Sequence, residues 1–326
     1  MAAKDNIFTL EGQQKSGLLA PEMVGEIFKK VQESSVVAPM CGTVPMGANG
    51  SEYVIATGEP EADIVGEGMA KPVSTIGLAT KVVKPVKAAV IVPWSKEARL
   101  ANPASVFDTI QEKMSDAIRR QVDYAILYGK SAKSDKAISG VDCVNQTTNR
   151  VTLGTATAKQ GGLSADVISG YTKVMEADSG DYDFSGFVAD PRLRSTLLSA
   201  VDDFGRPLFQ AERVNLADSW GSIMGLPAKF GKVVSGRIAG HAGSNVRAFG
   251  GDFAGSIKLG FVENITVSMS NEATIQIGSE MVSLWSNNLE AALVEAIFGW
   301  VIESPNAFVA YEQKAATAAV SKREGK

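Results

Sequence analysis

The sequence predicts an α+β fold on three observations: a long amphipathic helix that follows an apolar strand almost directly, a polar extended segment ahead of that strand, and a compact downstream region where helical and strand patterns alternate before giving way to strands. At 326 residues and 34.3 kDa, the chain can form one large domain or two ordinary ones and bury a core without disulfide staples. Hydrophobic residues at 45% and charged residues at 21% exclude disorder along most of its length. The 32 glycines predict many turns and bulges.

Residues 1–46 read as an arm. In "PEMVGEIFKKVQESS", Pro21 suits a first helical turn, and Val24, Ile27, Phe28 and Val31 share one face, which predicts one short amphipathic helix. Residues 47–87 mix β-branched residues with Gly, Pro and charges, the pattern of a long two-stranded hairpin with its tip around Glu67 to Pro72. Such a hairpin is marginal alone and must lie on its own domain or on a neighbour.

The strand in "AAVIVPWS" leads into the long helix. Asn102 as N-cap, Pro103 in the first turn and Gly129 as the stop predict a helix over 103–128, a rod of roughly 39 Å. Val106, Ile110, Met114, Ala117, Ile118, Ala125 and Ile126 form its apolar stripe. Farther on, Ser164 caps a helix to about Asp178, "FSGFVADP" is a buried strand, and Asp190 caps a helix that runs from Pro191 to Gly205. Residues 223–302 read mainly as strands, including "IKLGFVENITVSMS" and "ALVEAIFGWVIES".

Charge and motifs narrow the function. Lys plus Arg total 32 against 36 Asp plus Glu, a net charge of −4, which argues against a protein that grips nucleic acid by its phosphates. Cys41 and Cys143 lack CxxC spacing and read as small buried hydrophobes in a reducing compartment, with a disulfide between them as the alternative. The N-terminus shows no signal-peptide pattern and no apolar run is long enough to span a bilayer, so a cytoplasmic product without a membrane span is expected.

"YGKS" at Tyr128–Ser131 matches the end of a phosphate-binding loop, but Tyr124 stands where the first glycine belongs and the segment ends a helix instead of opening one. His241 reads as an exposed loop histidine without ligand or nucleophile spacing, and Asp202 with Asp203 as solvated helix-end residues. No motif for a cofactor, a metal or a catalytic triad stands out. An arm, a hairpin and a rod without a catalytic constellation describe a chain built to touch copies of itself.

In order, "VIVPWSKEAR", "AISGV", "FVADPRLRSTLLSAVDDFGRPLF", "MGLPAKF", "GGDFAGSIKLG" and "EAIFGWVIESPNAFVAY" resemble segments of the major capsid proteins of tailed bacteriophages, the Hong Kong 97-type fold. The resemblance implies an N-terminal arm (1–46), an E-loop hairpin (47–87), a P domain with the long spine helix (88–150), a compact A domain (151–250), and return strands of the P domain with a C-terminal tail (251–326). It implies no enzyme, but a subunit that forms pentamers and hexamers and closes them into an icosahedral head around double-stranded DNA bound without sequence specificity. A portal protein and a decoration protein would join it in the virion, after assembly in the host bacterial cytoplasm. The short segment ahead of the E-loop leads to the expectation of a separate scaffolding protein. An encapsulin-type nanocompartment shell is the nearest alternative, and a soluble hydrolase or nucleotide-binding enzyme the rival from another class.

Some members of that family join their subunits by an isopeptide bond. The resemblance places Lys71 in "GEGMAKPVS" as the nucleophile, Asn288 in "NNLEAALVE" as the amide, and Glu295, seven residues on, as the base. Each also has an ordinary reading: Lys71 as a solvated hairpin-tip charge, Asn288 as a turn residue, Glu295 as a paired strand residue.

Overall fold

The structure, a computed structural model, describes residues 35–56, 60–74, 77–101, 106–177, 182–209, 216, 219–238, 241 and 243–314. The amphipathic helix expected after Pro21 lies outside the described residues, as do Asn102 and Pro103.

In chain order the strands and helices begin with β1 (Gly42–Thr43), β2 (Ser51–Ala56), β3 (Leu78–Val83), β4 (Val86–Ser95), α1 (Lys96–Leu100) and α2 (Val106–Tyr128). There follow β5 (Arg150–Leu153), α3 (Gly162–Met175), β6 (Gly186–Ala189), α4 (Arg192–Leu198), β7 (Trp220–Ile223), β8 (Leu226–Phe230), β9 (Val246–Gly251) and α5 (Phe253–Ser256). The chain finishes with β10 (Ile257–Ser270), β11 (Thr274–Ile277), β12 (Glu280–Ser283), β13 (Leu289–Ile302) and β14 (Phe308–Gln313). Helices and strands together form the α+β class expected.

The chain divides into two compact units, with boundaries after residues 35, 42, 122, 258 and 300. The first, 43–122 and 259–300 with the leading residues, holds the hairpin of β2 and β3, whose register runs from Ser51 opposite Val83 to Ala56 opposite Leu78. Its main sheet has the order β1-β10-β13-β4. β13, "LEAALVEAIFGWVI", is central and therefore apolar along most of its length, with Ala292, Val294, Ala296 and Phe298 buried. A second hairpin, β11 with β12, covers a satellite core of Leu284, Leu289 and Ala291.

The second unit, 36–42, 123–258 and 301–326, is built on a six-stranded mixed sheet in the order β5-β14-β9-β6-β8-β7. Helix α3 turns Leu163, Val167, Gly170 and Val174, spaced three and four apart, toward the core. Gly170 permits a close approach: a Cβ there would stand 2.4 Å from the Tyr311 hydroxyl, which donates to the carbonyl of Val167 at 2.9 Å. Asp166 accepts from the N–H groups of Gly154, Thr155 and Ala156 at 2.7, 3.2 and 3.2 Å, which pins the loop after β5.

Residues 36–42 form a strap on this unit. Val36 and Val37 are buried, and both their N–H groups donate to the Asp123 carboxylate. Val36 also fills the space beside Gly231, where a Cβ would stand 2.2 Å from its Cγ2.

Several sequence expectations need correction. The apolar strand does not pass straight into the long helix: α1, capped by Ser95 through a 3.2 Å bond from the Ala98 N–H, lies between them. The helix expected to be capped by Ser164 starts three residues earlier, with the left-handed Gly161 as its cap, and ends at Met175. The helix expected to reach Gly205 ends at Leu198. Beyond it Asp202 takes the N–H groups of Phe204 and Arg206 at 2.9 and 2.8 Å, so it organises a tight turn and not a helix end. His241 is half-buried, with Nε2 2.9 Å from the Ala132 carbonyl. Cys41 and Cys143 are free thiols, as their spacing led us to expect, and not the alternative disulfide; Cys143 is buried and Cys41 half-buried, and burial raises the pKa of both.

Helix α2 has 23 described residues, about 34 Å of rod. Met114, Ile118, Ala125 and Ile126 of the expected stripe are buried, joined by Val122, Tyr124 and Leu127, whereas Ile110 and Ala117 are half-buried and the side chain of Val106 lies outside the described ones. Gly129, at φ 66°, stops the helix as expected.

Candidate functional site

Two features of the first unit carry the chemistry and contact surface that the sequence singled out. The first is the hairpin. Between its paired strands, residues 60–74 have no regular structure beyond a turn closed by the Met69 N–H on the Gly66 carbonyl at 3.1 Å. A 3.1 Å bond from the Glu61 N–H to Ser74 Oγ ties the two sides of the loop. Ile64 is 98% exposed, Val73 92% and Met69 72%. Val54, Leu78 and Val82 on the paired strands are exposed as well. At about 25 cal/mol per Å² this apolar surface favours burial strongly, and none of the described residues covers it. Lys71 is exposed in the same loop, inside the expected tip.

The second feature is the corner where α1 meets the start of β13. Ser95 pairs with Leu289 at the end of the β4–β13 register, and the Lys96 N–H donates to the Asn288 carbonyl at 3.1 Å. Asn288 holds the turn into β13 at φ 51°, a left-handed position that Asn tolerates better than most residues. Its side chain is exposed, and its amide Nδ2 donates to the Glu97 carboxylate. Around this contact Glu290 accepts from Trp94 Nε1 at 3.2 Å and pairs with Arg99 at 2.6 Å. Trp94 is 1% exposed, so the cluster has a rigid floor.

Glu295 lies elsewhere. It is opposite Ala89 in the register, and its carboxylate pairs with Lys87 at 2.5 Å. Seven residues of extended strand separate it from Asn288 by about 23 Å. Within one chain the structure therefore brings Asn288 to Glu97 and not to Glu295. Sequence reasoning missed Glu97, Glu290 and Arg99. Glu97 and Asn288 are 191 positions apart, and only the pairing of β4 with β13 makes them neighbours.

Among the described residues no helix is long and apolar enough to cross a membrane. The known proteins similar to this chain agree with the architecture. "Probable major capsid protein gp17" of Mycobacterium phage D29 is 27% identical over 302 residues, covering 90% of this chain and 89% of that protein. The solved structure from Gordonia phage Cozz superposes with a TM-score of 0.75 at 30% identity, over 94% of this chain and 95% of that one. "Capsid of empty GTA particle computed with C5 symmetry" shares the fold at a TM-score of 0.63 and 12% identity, over 93% and 98% of the two chains. Residues 16–312 match the Phage capsid family. The fold is the Hong Kong 97-type capsid fold, and the chain belongs to the phage capsid family.

Proposed function

We propose that this protein is the major capsid subunit of a tailed-phage head, associating as pentamers and hexamers that close into an icosahedral container for double-stranded DNA. The observation that carries the reading is the match of residues 16–312 to the Phage capsid family. The exposed apolar hairpin supports it, because that surface needs a neighbouring copy to bury it. Phage relatives favour a genome container over an encapsulin-type shell or an enzyme.

In this reading 1–46 is the arm, 47–87 with the hairpin of β2 and β3 is the E-loop, 88–150 is the P domain with α2 as its spine, 151–250 is the A domain, and 251–326 returns to the P domain and ends in the C-terminal tail; the two compact units divide the chain differently, with 123–150, 251–258 and 301–326 grouped with 151–250. The net charge of −4 suits a container whose cargo must not adhere to it. A scaffolding protein, a portal and a decoration protein would join the assembly, which would form in the host cytoplasm and persist in the virion.

The test is negative-stain electron microscopy of the purified chain, alone and with a candidate scaffold, beside a deletion of residues 60–75. Rings, tubes or closed shells are expected from the full chain, and a soluble subunit without shells from the deletion. A full chain that stays monomeric under every condition would overturn the reading.

A finer step belongs to the same reading: Lys71 of one copy joins Asn288 of a neighbour. Lys71 is exposed in the hairpin loop and Asn288 is exposed at the turn into β13, so both are available between copies. The carboxylate that moves the proton is either Glu295, supplied from another copy, or Glu97.

A further inference from the structure

The six-stranded sheet of the second unit sends several segments to one end. β6 runs parallel to β8 and antiparallel to β9, and β9 runs antiparallel to β14, so β6, β8 and β14 all finish where β9 begins. Ligand crevices in open sheets form outside such carboxyl ends. Three arginines converge there from three segments. Arg247 is the second residue of β9, and its carbonyl accepts the Asp190 N–H at 2.7 Å. Arg192 opens α4 and holds the Asp190 carboxylate through Nε at 2.9 Å and Nη2 at 3.1 Å. Arg237 follows the helical turn Lys232–Ser235 and the left-handed Gly236. It packs beside the loop that leads into β9 because Gly243 has no side chain: a Cβ there would stand 3.3 Å from that of Arg237. The next residue, Ser244, fastens this loop by donating its N–H to the Ser235 carbonyl at 2.6 Å. Below it the Tyr128 hydroxyl donates to the Val234 carbonyl at 2.6 Å and its ring meets Phe249 edge-on, so the floor is rigid.

The charges at this end do not balance. Among the described residues Asp190 is the one carboxylate that pairs with any of the three arginines, and Arg192 and Ser235 already engage both its oxygens. Arg247 meets only neutral groups: Nε donates to Gln313 at 2.7 Å, while Nη1 lies 3.5 and 3.4 Å from the Ser244 and Val246 carbonyls. Arg237 is exposed and forms no ion pair with a described residue. Three guanidinium groups against one carboxylate leave an excess of two positive charges, in a chain of net charge −4. Burial, and after it the like charges of Arg192 and Arg237, hold the pKa of Arg247 below its ordinary value. Like charges gathered on a rigid floor repel unless an anion lies among them. We propose that Arg192, Arg237 and Arg247 form a binding site for a phosphate group, a property of the second unit beyond its part in a shell. A phosphate dianion matches the excess charge, and its oxygens accept the paired N–H groups of a guanidinium fork better than those of a point charge. The phosphate is either free or part of a nucleic-acid backbone, and the same oxygens are recognised in both.

The test is equilibrium dialysis of the full chain against radiolabelled inorganic phosphate, with chloride keeping the ionic strength constant. Saturable uptake is expected from the wild-type chain. Arg237→Gln removes an exposed head and leaves the core untouched, and it should bind phosphate at least about tenfold more weakly, the factor that one charge-assisted bond carries. Arg237→Lys keeps the charge without the fork and should fall between the two. No saturable uptake by the wild-type chain, or equal binding by wild type and Arg237→Gln, would overturn the assignment. Uptake of labelled polyglutamate without uptake of phosphate would overturn it too, in favour of an acidic protein segment. A short DNA duplex added to the dialysis separates the two sources. Displacement of the labelled phosphate from the wild-type chain places nucleic-acid phosphates in the site, and phosphate retained in excess DNA shows that the site takes the free ion.

Discussion

Asp123 accepts the main-chain N–H groups of both Val36 and Val37, at 2.7 and 3.1 Å. Asp123 is 1% exposed. One buried carboxylate on α2 thus satisfies two consecutive donors of a segment more than eighty residues earlier and fastens the strap to the six-stranded-sheet unit.

Removing that acceptor leaves two buried N–H groups unsatisfied. Asp123→Ala should destabilise the subunit by about 2–4 kcal/mol, since each orphaned donor costs about 1–3 kcal/mol. Limited proteolysis should then cut within 36–42 while the rest of the unit survives. Unchanged protection of that segment would refute the clamp.

The strap also depends on the missing side chain at Gly231, where a Cβ would lie 2.2 Å from Val36 Cγ2. Gly231→Ala should lower the midpoint of chemical denaturation, and Val36→Ala in the same chain should recover part of the loss by vacating the space. A double-mutant cycle measures the coupling. Strictly additive effects would show that the two positions do not meet.

Asp190 supplies a pH dependence. It is fully buried and receives bonds from the N–H and Nε of Arg192 at 2.8 and 2.9 Å, and from Ser235 Oγ. Burial works to raise its pKa, but the bonds from Arg192 and Ser235 outweigh burial and hold the carboxyl below its ordinary value of 3.8. As pH falls through that value the unfolded chain takes up the proton first, so the contribution is present above about pH 4 and is lost below it. Asp190→Asn should therefore cost about 1–3 kcal/mol at pH 7, and the gap from wild type should narrow in thermal melts of the unassembled subunit at progressively lower pH. A gap that stays constant across that range would contradict the assignment.

The features legible in the sequence are those made by neighbours along the chain. The apolar stripe of α2 repeats at helical spacing and Gly129 ends it, so the rod was readable, although Val122, Tyr124 and Leu127 are buried as well and Ile110 and Ala117 are only half-buried. The hairpin was readable from its β-branched flanks and its tip of Gly, Pro and charge. The end of α4 was misread because "LLSAVDDFG" carries helix-compatible residues, while the competing side-chain bonds of Asp202 to Phe204 and Arg206 decide for a turn.

By itself the sequence determined the class, the rod, the hairpin and the family, because local periodicity and an ordered series of segments depend only on chain neighbours. Tertiary structure alone decided which carboxylate stands beside Asn288 and which one receives the strap. A strand carries its side chains about 3.3 Å apart per residue, so a seven-residue spacing that looks close in sequence is distant in space. Pairing β4 with β13 instead brings Glu97 to Asn288, a relation that no local pattern records.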